Sequence, residues 1–175
     1  MSEGDAVLRD YRPEDLDAIV ALDMQCFAQE FRFDHRAMRS FAEASNAVTL
    51  IAEDVGREIV GFAIVHMEGR DLNRCGYLVT LDVTERRRNE GLATRLVRET
   101  ERRARAANGH AMGLHVHTEN AGAIRFYERN GYRRVGVKRA FYGRNRFDVE
   151  IDAFVYRKEM PGREELSGSE GVTGL

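Results

Sequence analysis

Cysteine is scarce in this chain of 175 residues: Cys26 and Cys75 lie far apart and form no C-x-x-C pair. That leaves no redox or metal signature and fits a reduced, cytosolic protein. The five histidines lack the spacing of zinc ligands, so no metal is expected. No apolar run approaches the ~18 residues of a membrane span. The N-terminal stretch MSEGDAVLRD is acidic, unlike a secretion signal. No membrane contact is expected, and the cytoplasm is the default location. Charge of one sign is absent too: 27 basic residues stand against 29 acidic ones, a net −2 that argues against a protein built around DNA. No internal repeat and no second domain are visible.

What remains reads as one soluble domain with one sizeable core, from 43% hydrophobic and 32% charged residues over this length. The basic residues cluster at 86–88, 95–105 and 133–146, which predicts local cationic surfaces and leaves docking on a polyanion such as a ribosome open.

The pattern along the chain predicts its elements. Ala6–Tyr11 reads as a strand, and Pro13 with Glu14 and Asp15 suits the first turn of a helix. Leu16, Ile19, Val20, Met24 and Phe27 then mark that helix's core face. Phe27 reads as a core anchor, whereas Glu30–Phe33 alternates aromatic and charged residues off any helical face and reads as a loop lining a site. A short helix is expected over His35–Ala44, then a hairpin of Ala47–Glu53 and Ile59–Met67. After a polar connection, Tyr77–Val83 is a strand rich in β-branched residues. A helix runs from Gly91 to about Ala107, with Leu92, Leu96 and Thr100 on one face and Asn108-Gly109 as its stop. Met112–His117, a helix from Thr118 to Asn130, and strands at Tyr132–Val137 and Val149–Arg157 follow. From Pro161 onward, glycines and serines with little to bury predict a disordered tail, so the domain is placed at 1–160 and the tail at 161–175.

The stretch Val83–Thr94, VTERRRNEGLAT, carries the first chemical signal. A strand feeding a helix through a Gly-containing turn aims several unpaired N–H groups at one spot. The helix dipole adds partial positive charge there, and three arginines, Arg86–Arg88, reinforce it, so the place suits a phosphate.

The spelling Arg88-Asn-Glu-Gly91-Leu-Ala93 resembles the (Gln/Arg)-x-x-Gly-x-(Gly/Ala) acyl-CoA loop of the GNAT superfamily of N-acetyltransferases. The later stretch from Leu114 to Tyr132 resembles that superfamily's N-x-x-A-I-x-x-Y-x-x-x-G-(F/Y) motif through Asn120, Ala123, Ile124, Tyr127, Gly131 and Tyr132. Both motifs stand in order, one helix and one strand apart. The resemblance spans about residues 6–160 and implies the GNAT fold. That is an α/β (α+β) domain with one mixed, mostly antiparallel twisted sheet of about seven strands, flanked by about four helices.

Within the superfamily the chain looks like the RimI-like protein N-terminal acetyltransferases. Arg139–Tyr142 followed by Asp152-Ala153 is similar to that branch's tyrosine-bearing loop and Asp-Ala strand. One departure is informative: RimI-type enzymes carry a glutamate base in a Leu-Glu-Val strand, and this chain has Leu114-His115-Val116. Histidine there, with Tyr77 at the start of the central strand, resembles a eukaryotic relative in which a Tyr/His pair takes the amine proton through ordered water.

The resemblance implies acetyl-CoA as cofactor, its pyrophosphate on the backbone of Arg88, Asn89, Glu90, Gly91, Leu92, Ala93 and Thr94. Its pantetheine would pair with the backbone at Leu81, Asp82 and Val83 and with Asn120. Tyr77 and His115 would serve the base, and Tyr127 the general acid. Glu30 is the alternative base and Asp82 an alternative aid to proton transfer. Alternation puts His115 and His117 on one face, so the pattern alone leaves open which faces the site. Phe31, Phe33, Tyr142 and Glu30 would wall the acceptor, a protein or peptide N-terminus. An α-amine, with pKa ~7.7–8.0, is about a tenth neutral at pH 7, and a histidine near ~6.5 matches it better than it matches a lysine at ~10.4. Two rival readings are a small-molecule amine acetyltransferase and a non-catalytic acyl-CoA-binding module. The chain is read as a monomer or homodimer.

Overall fold

The computed structural model describes residues 5–161. Its organising feature is a sheet whose middle strands have no polar face. Ile59–Glu68 (β3) is buried over most of its length because helices cover both sides of it. The preceding strands are β1 (Val7–Asp10) and β2 (Ala47–Glu53), and β4 (Cys75–Val83) follows; these four pair antiparallel in sequence order. The chain then crosses through α3 (Leu92–Ala106) into β5 (Ala111–His117), which pairs parallel to β4. It leaves through α4 (Ala121–Arg129) to β6 (Arg133–Lys138), and β7 (Ala153–Glu159) inserts between β5 and β6. The seven strands run β1-β2-β3-β4-β5-β7-β6. With α1 (Leu16–Cys26) and α2 (His35–Ala42), four α-helices flank the sheet. This is the mixed, mostly antiparallel architecture that the motifs imply.

Alternation sorts the strand residues between two cores. Leu50, Ala63 and Val65 face α3, packing with Leu92, Leu96 and Val97, while Ile51, Phe62 and Ile64 face α1 and α2, packing with Ile19 and Met38. Tyr127 and Tyr132 close the first core beside α4.

Three expectations change. Met24 is half exposed, and Leu22 and Asp23 are buried instead. Successive helical residues are ~100° apart, and the buried stripe is centred on Ile19 and Asp23; counting apolar residues alone skips the aspartate and turns the face toward Met24. Phe27 is half-buried, belongs to neither core, and borders the cleft described below. The last strand begins at Ala153, not Val149, because residues 144–150 form a tight loop. There the Asn145 carboxamide accepts the N–H groups of Phe147 (2.9 Å) and Val149 (3.1 Å), and Arg144 reaches Glu150 at 2.9 Å. Among the described residues no helix is long and apolar enough to cross a membrane. The 161–175 tail falls, after Pro161, outside the described residues.

Candidate active site

A split in the sheet makes the site. β4 and β5 pair only from Cys75↔Ala111 to Leu78↔Leu114. Val79 is then an extra residue in β4, between the Val65↔Leu78 and Ile64↔Thr80 pairs with β3, and such a bulge bends its strand. Beyond it, residues 79–83 of β4 and 115–117 of β5 run without pairing to each other and border a cleft of about 750 Å³. Backbone groups of β4 that would have met β5 are open to a ligand there, apart from the Val83 carbonyl, which accepts from Arg88 and Cys26.

One wall of this cleft is backbone. Gly91, at φ +81°, turns the chain into α3, and Asn89, at φ +63°, is left-handed as well. Among the described residues no side chain caps α3, so the N–H groups of its first turn stay open at the positive end of a 15-residue helix. A Cβ built on Gly91 would meet nothing within 4 Å, so the approach to those N–H groups is clear. This cradle fits a pyrophosphate. Arg88, Asn89, Gly91, Ala93 and Thr94 line the cleft, while Glu90 turns to Arg87 (Nε to Oε2, 2.6 Å) and Leu92 lies in the core. Arg88 lays its Nε on the Val83 carbonyl at 3.2 Å. Leu81, Asp82 and Val83 line the cleft from β4. Asn120 lines it too; its side-chain oxygen caps α4 by accepting the Ala123 N–H at 3.1 Å, which leaves its amide N–H groups for other partners.

The other wall is side chain. Tyr77 and His115 meet across the two strands, the hydroxyl 3.0 Å from Nδ1. Phe141 stacks flat on the His115 imidazole (4.1 Å, 7°). Burial, then the nearby Lys138 ammonium, holds the His115 pKa below its ordinary value, so the ring is neutral at physiological pH. Burial pushes the Tyr77 hydroxyl up. His117 faces the same cleft but packs on Phe31 (4.9 Å) and edge-on to Tyr142 (6.2 Å). Tyr142 stands edge-on to Phe31 at 5.0 Å, and burial raises its pKa to about 12. Tyr127, on the inner face of α4, borders the cleft with its hydroxyl pKa raised by burial, and then by Asp82.

The cleft thus brings together His115, Tyr127, Phe31, Phe33 and Tyr142, while Tyr77 does not line it and reaches it only through its hydrogen bond with His115. Glu30 is not among them: it is solvent-exposed on the 3-10 turn Gln29–Phe31 and does not line the cleft. Sequence reasoning passed over Phe141 as the ring that holds His115, and over Asp23, which lies buried behind the cleft. The first has no signal in a loop of mixed residues; the second showed only as one of two aspartates on a mostly apolar helix.

Comparison with known proteins agrees with this geometry. The Acetyltransferase (GNAT) family model matches residues 16–132, two thirds of the chain. The NAA10 catalytic subunit of the N-terminal acetyltransferase A complex of Arabidopsis thaliana is 27% identical over 154 residues, 86% of this chain and 76% of that protein. The crystal structure of NAA60 from Arabidopsis thaliana, in complex with a bisubstrate analogue, superposes with a TM-score of 0.77 at 21% identity, covering 90% of this chain and 99% of that one. The ribosomal-protein-S18-alanine N-acetyltransferase of Escherichia coli gives 0.75 at 19% identity, with 90% and 97% covered. These two structures share the fold. The family match settles the class: the chain belongs to the GNAT family of acetyltransferases and is an acetyl-CoA-dependent N-acetyltransferase.

Proposed function

We propose that this enzyme acetylates the N-terminal α-amine of a protein or peptide, as RimI-like acetyltransferases do. One observation carries the reading. Asp82 is the single acid among the described residues lining the cleft, and its side chain is buried against Thr80. A strongly cationic acceptor, such as a lysine or a polyamine, would find no countercharge there. An α-amine needs none, since roughly a tenth of it is neutral at pH 7.

Acetyl-CoA, when bound, supplies the thioester carbonyl that the amine attacks. The N–H groups of residues 88–94 would hold its phosphates, and the β4 backbone at 81–83 together with Asn120 would hold its arm. In the tautomer whose Nδ1–H donates to the Tyr77 oxygen, His115 Nε2 keeps the lone pair that would take the amine proton, directly or through one water. Phe141, stacked on the ring, restricts its rotation. Tyr127, whose proton is held firmly, would protonate the departing thiolate. Phe31, Phe33 and Tyr142 form an aromatic wall for the first residues of the acceptor. Both cysteines are free, which supports a reducing, cytoplasmic setting. Many arginines of the basic clusters are engaged inside the chain, Arg102 and Arg103 with Glu99 and Arg144 with Glu150, so ribosome docking is not part of this proposal.

The test is coenzyme A release with short peptides varied at their first two residues, beside N-terminally blocked, lysine-containing controls and small amines. Turnover confined to free N-termini is expected. Turnover only on lysine side chains or small amines, or none on any acceptor, would overturn the reading.

A further inference from the structure

Two buried carboxyls, one at the cleft's lining and one behind it, are not used by the chemistry above. Asp23, on α1, is fully buried, and Asp82, on β4, is 1% exposed. Each has one oxygen satisfied: Asp23 Oδ2 accepts the Phe33 N–H at 2.9 Å, and Asp82 Oδ1 accepts the Thr80 hydroxyl at 2.6 Å. The remaining oxygens, Asp23 Oδ1 and Asp82 Oδ2, are buried with no other partner among the described residues, and the two carboxyls lie within hydrogen-bonding reach of each other. Two ionised carboxylates cannot share such a place without a cation. Arg32 and Arg88 favour the charged forms only from a distance: neither hydrogen-bonds a carboxyl oxygen of the pair, Arg32 binding the Phe27 carbonyl (2.7 Å) and Arg88 the Val83 carbonyl (3.2 Å). The other titratable groups facing the pair, Cys26 from α1 and Tyr127 from α4, are neutral, with pKa values raised by burial. One proton between the carboxyls satisfies both orphaned oxygens.

We propose that Asp23 and Asp82 hold a single proton between them and act as a positioning pair that clamps the acceptor wall of the cleft to β4. Asp23 grips the backbone at Phe33, two residues from Phe31, and both rings border the cleft. Through the pair, this loop and the strand whose backbone faces the cofactor become one rigid unit. The inference rests on the acceptor lying along residues 27–33, as proposed above. Raising the pH removes the shared proton, leaves two buried negative charges face to face and loosens the wall, so acceptor KM rises with pH.

The test uses the full chain, with acetyl-CoA affinity measured by calorimetry and acceptor KM measured with the best peptide of the panel. Asp23→Ala is expected to raise acceptor KM roughly tenfold by removing the hydrogen bonds on both sides, with acetyl-CoA affinity within about twofold of wild type. Asp23→Asn keeps the oxygen for Phe33 and donates an N–H to Asp82 without a shared proton. It is expected to restore KM and to abolish its rise with pH. Infrared absorption of a protonated carboxyl, present at neutral pH in wild type and lost in Asp23→Asn, reads the proton directly and needs no acceptor. The proposal is overturned if that band is missing from wild type, if Asp23→Ala leaves acceptor KM unchanged, or if Asp23→Asn is as damaging as Asp23→Ala. Should Asp23→Ala fail to fold, the pH profile and infrared band of Asp23→Asn decide alone. Failure of every peptide as an acceptor would sink the function proposed above, while the band would still decide whether the proton is shared.

Discussion

The two walls of the cleft are made from different materials. The wall proposed to hold the cofactor is seven consecutive residues, 88–94, offering backbone N–H groups and two left-handed positions. The acceptor wall is a set of side chains gathered from residue 31 to residue 142 and brought together by the sheet. A backbone site depends on φ and ψ and is indifferent to most side chains. A side-chain site depends on identity and on a neighbour that holds each ring in place. Substitutions in the two walls should therefore fail in different ways.

The largest effect is expected at His115. Replacing it with alanine removes the proton acceptor and leaves the Tyr77 hydroxyl and the face of Phe141 without their partner. A general base contributes ~10²–10⁴-fold, so kcat should fall by at least about 10²-fold with acetyl-CoA affinity unchanged, as steady-state kinetics and calorimetry would read. A fall in cofactor affinity of similar size would erase the distinction between the walls. Gly91→Ala probes the other wall. The added methyl has open space, so its cost is the left-handed φ alone, about 1 kcal/mol. Acetyl-CoA affinity should weaken about fivefold, while kcat at saturation and acceptor KM hold. If Gly91→Ala acted on acceptor KM instead, the cradle would not be where the cofactor phosphates bind.

Legibility follows the same division. The cradle could be read from the sequence because its residues are adjacent and its requirement is local: a strand, a glycine turn and a helix start. The strands were legible as apolar runs of the right length, while the covering of β3 on both faces shows only in the packed structure. The helix α1 was phased wrongly because the centre of its buried face is Asp23, whose partner Asp82 lies 59 residues away (82 − 23) and is invisible to any periodicity. The start of β7 was misjudged because the Asn145 loop uses side-chain hydrogen bonds that apolar alternation does not register. His115 and His117 share a strand face, and alternation cannot rank them. Register does: Tyr77 pairs with Gly113, which sets its ring diagonal to His115, while His117 lies two residues farther along β5 and packs on Phe31.

The smallest predicted effect tests whether the acceptor wall acts through charge as well as contact. Lys138 stands on β6 with its ammonium 5.3 Å over the ring of Phe141, whose flat stacking places it beside His115. Burial is the main cause of the depressed His115 pKa, and the Lys138 charge adds to it, since a cation opposes the imidazolium. Removing that charge in Lys138→Gln should let the His115 pKa rise slightly, since the interaction is partly screened at the surface. The sign is fixed: His115 acts in its neutral form, so a higher pKa protonates it at higher pH, and the acidic limb of kcat/KM moves up with it. Protonation of the acceptor amine shapes the same limb, but it is identical in both proteins and cancels in the comparison. Well above the limb the two should react equally, and added salt should shrink the difference because Lys138 is exposed. A limb that stays in place would mean that the amine alone titrates there, and His115 would then hold the acceptor's surroundings in shape without taking its proton.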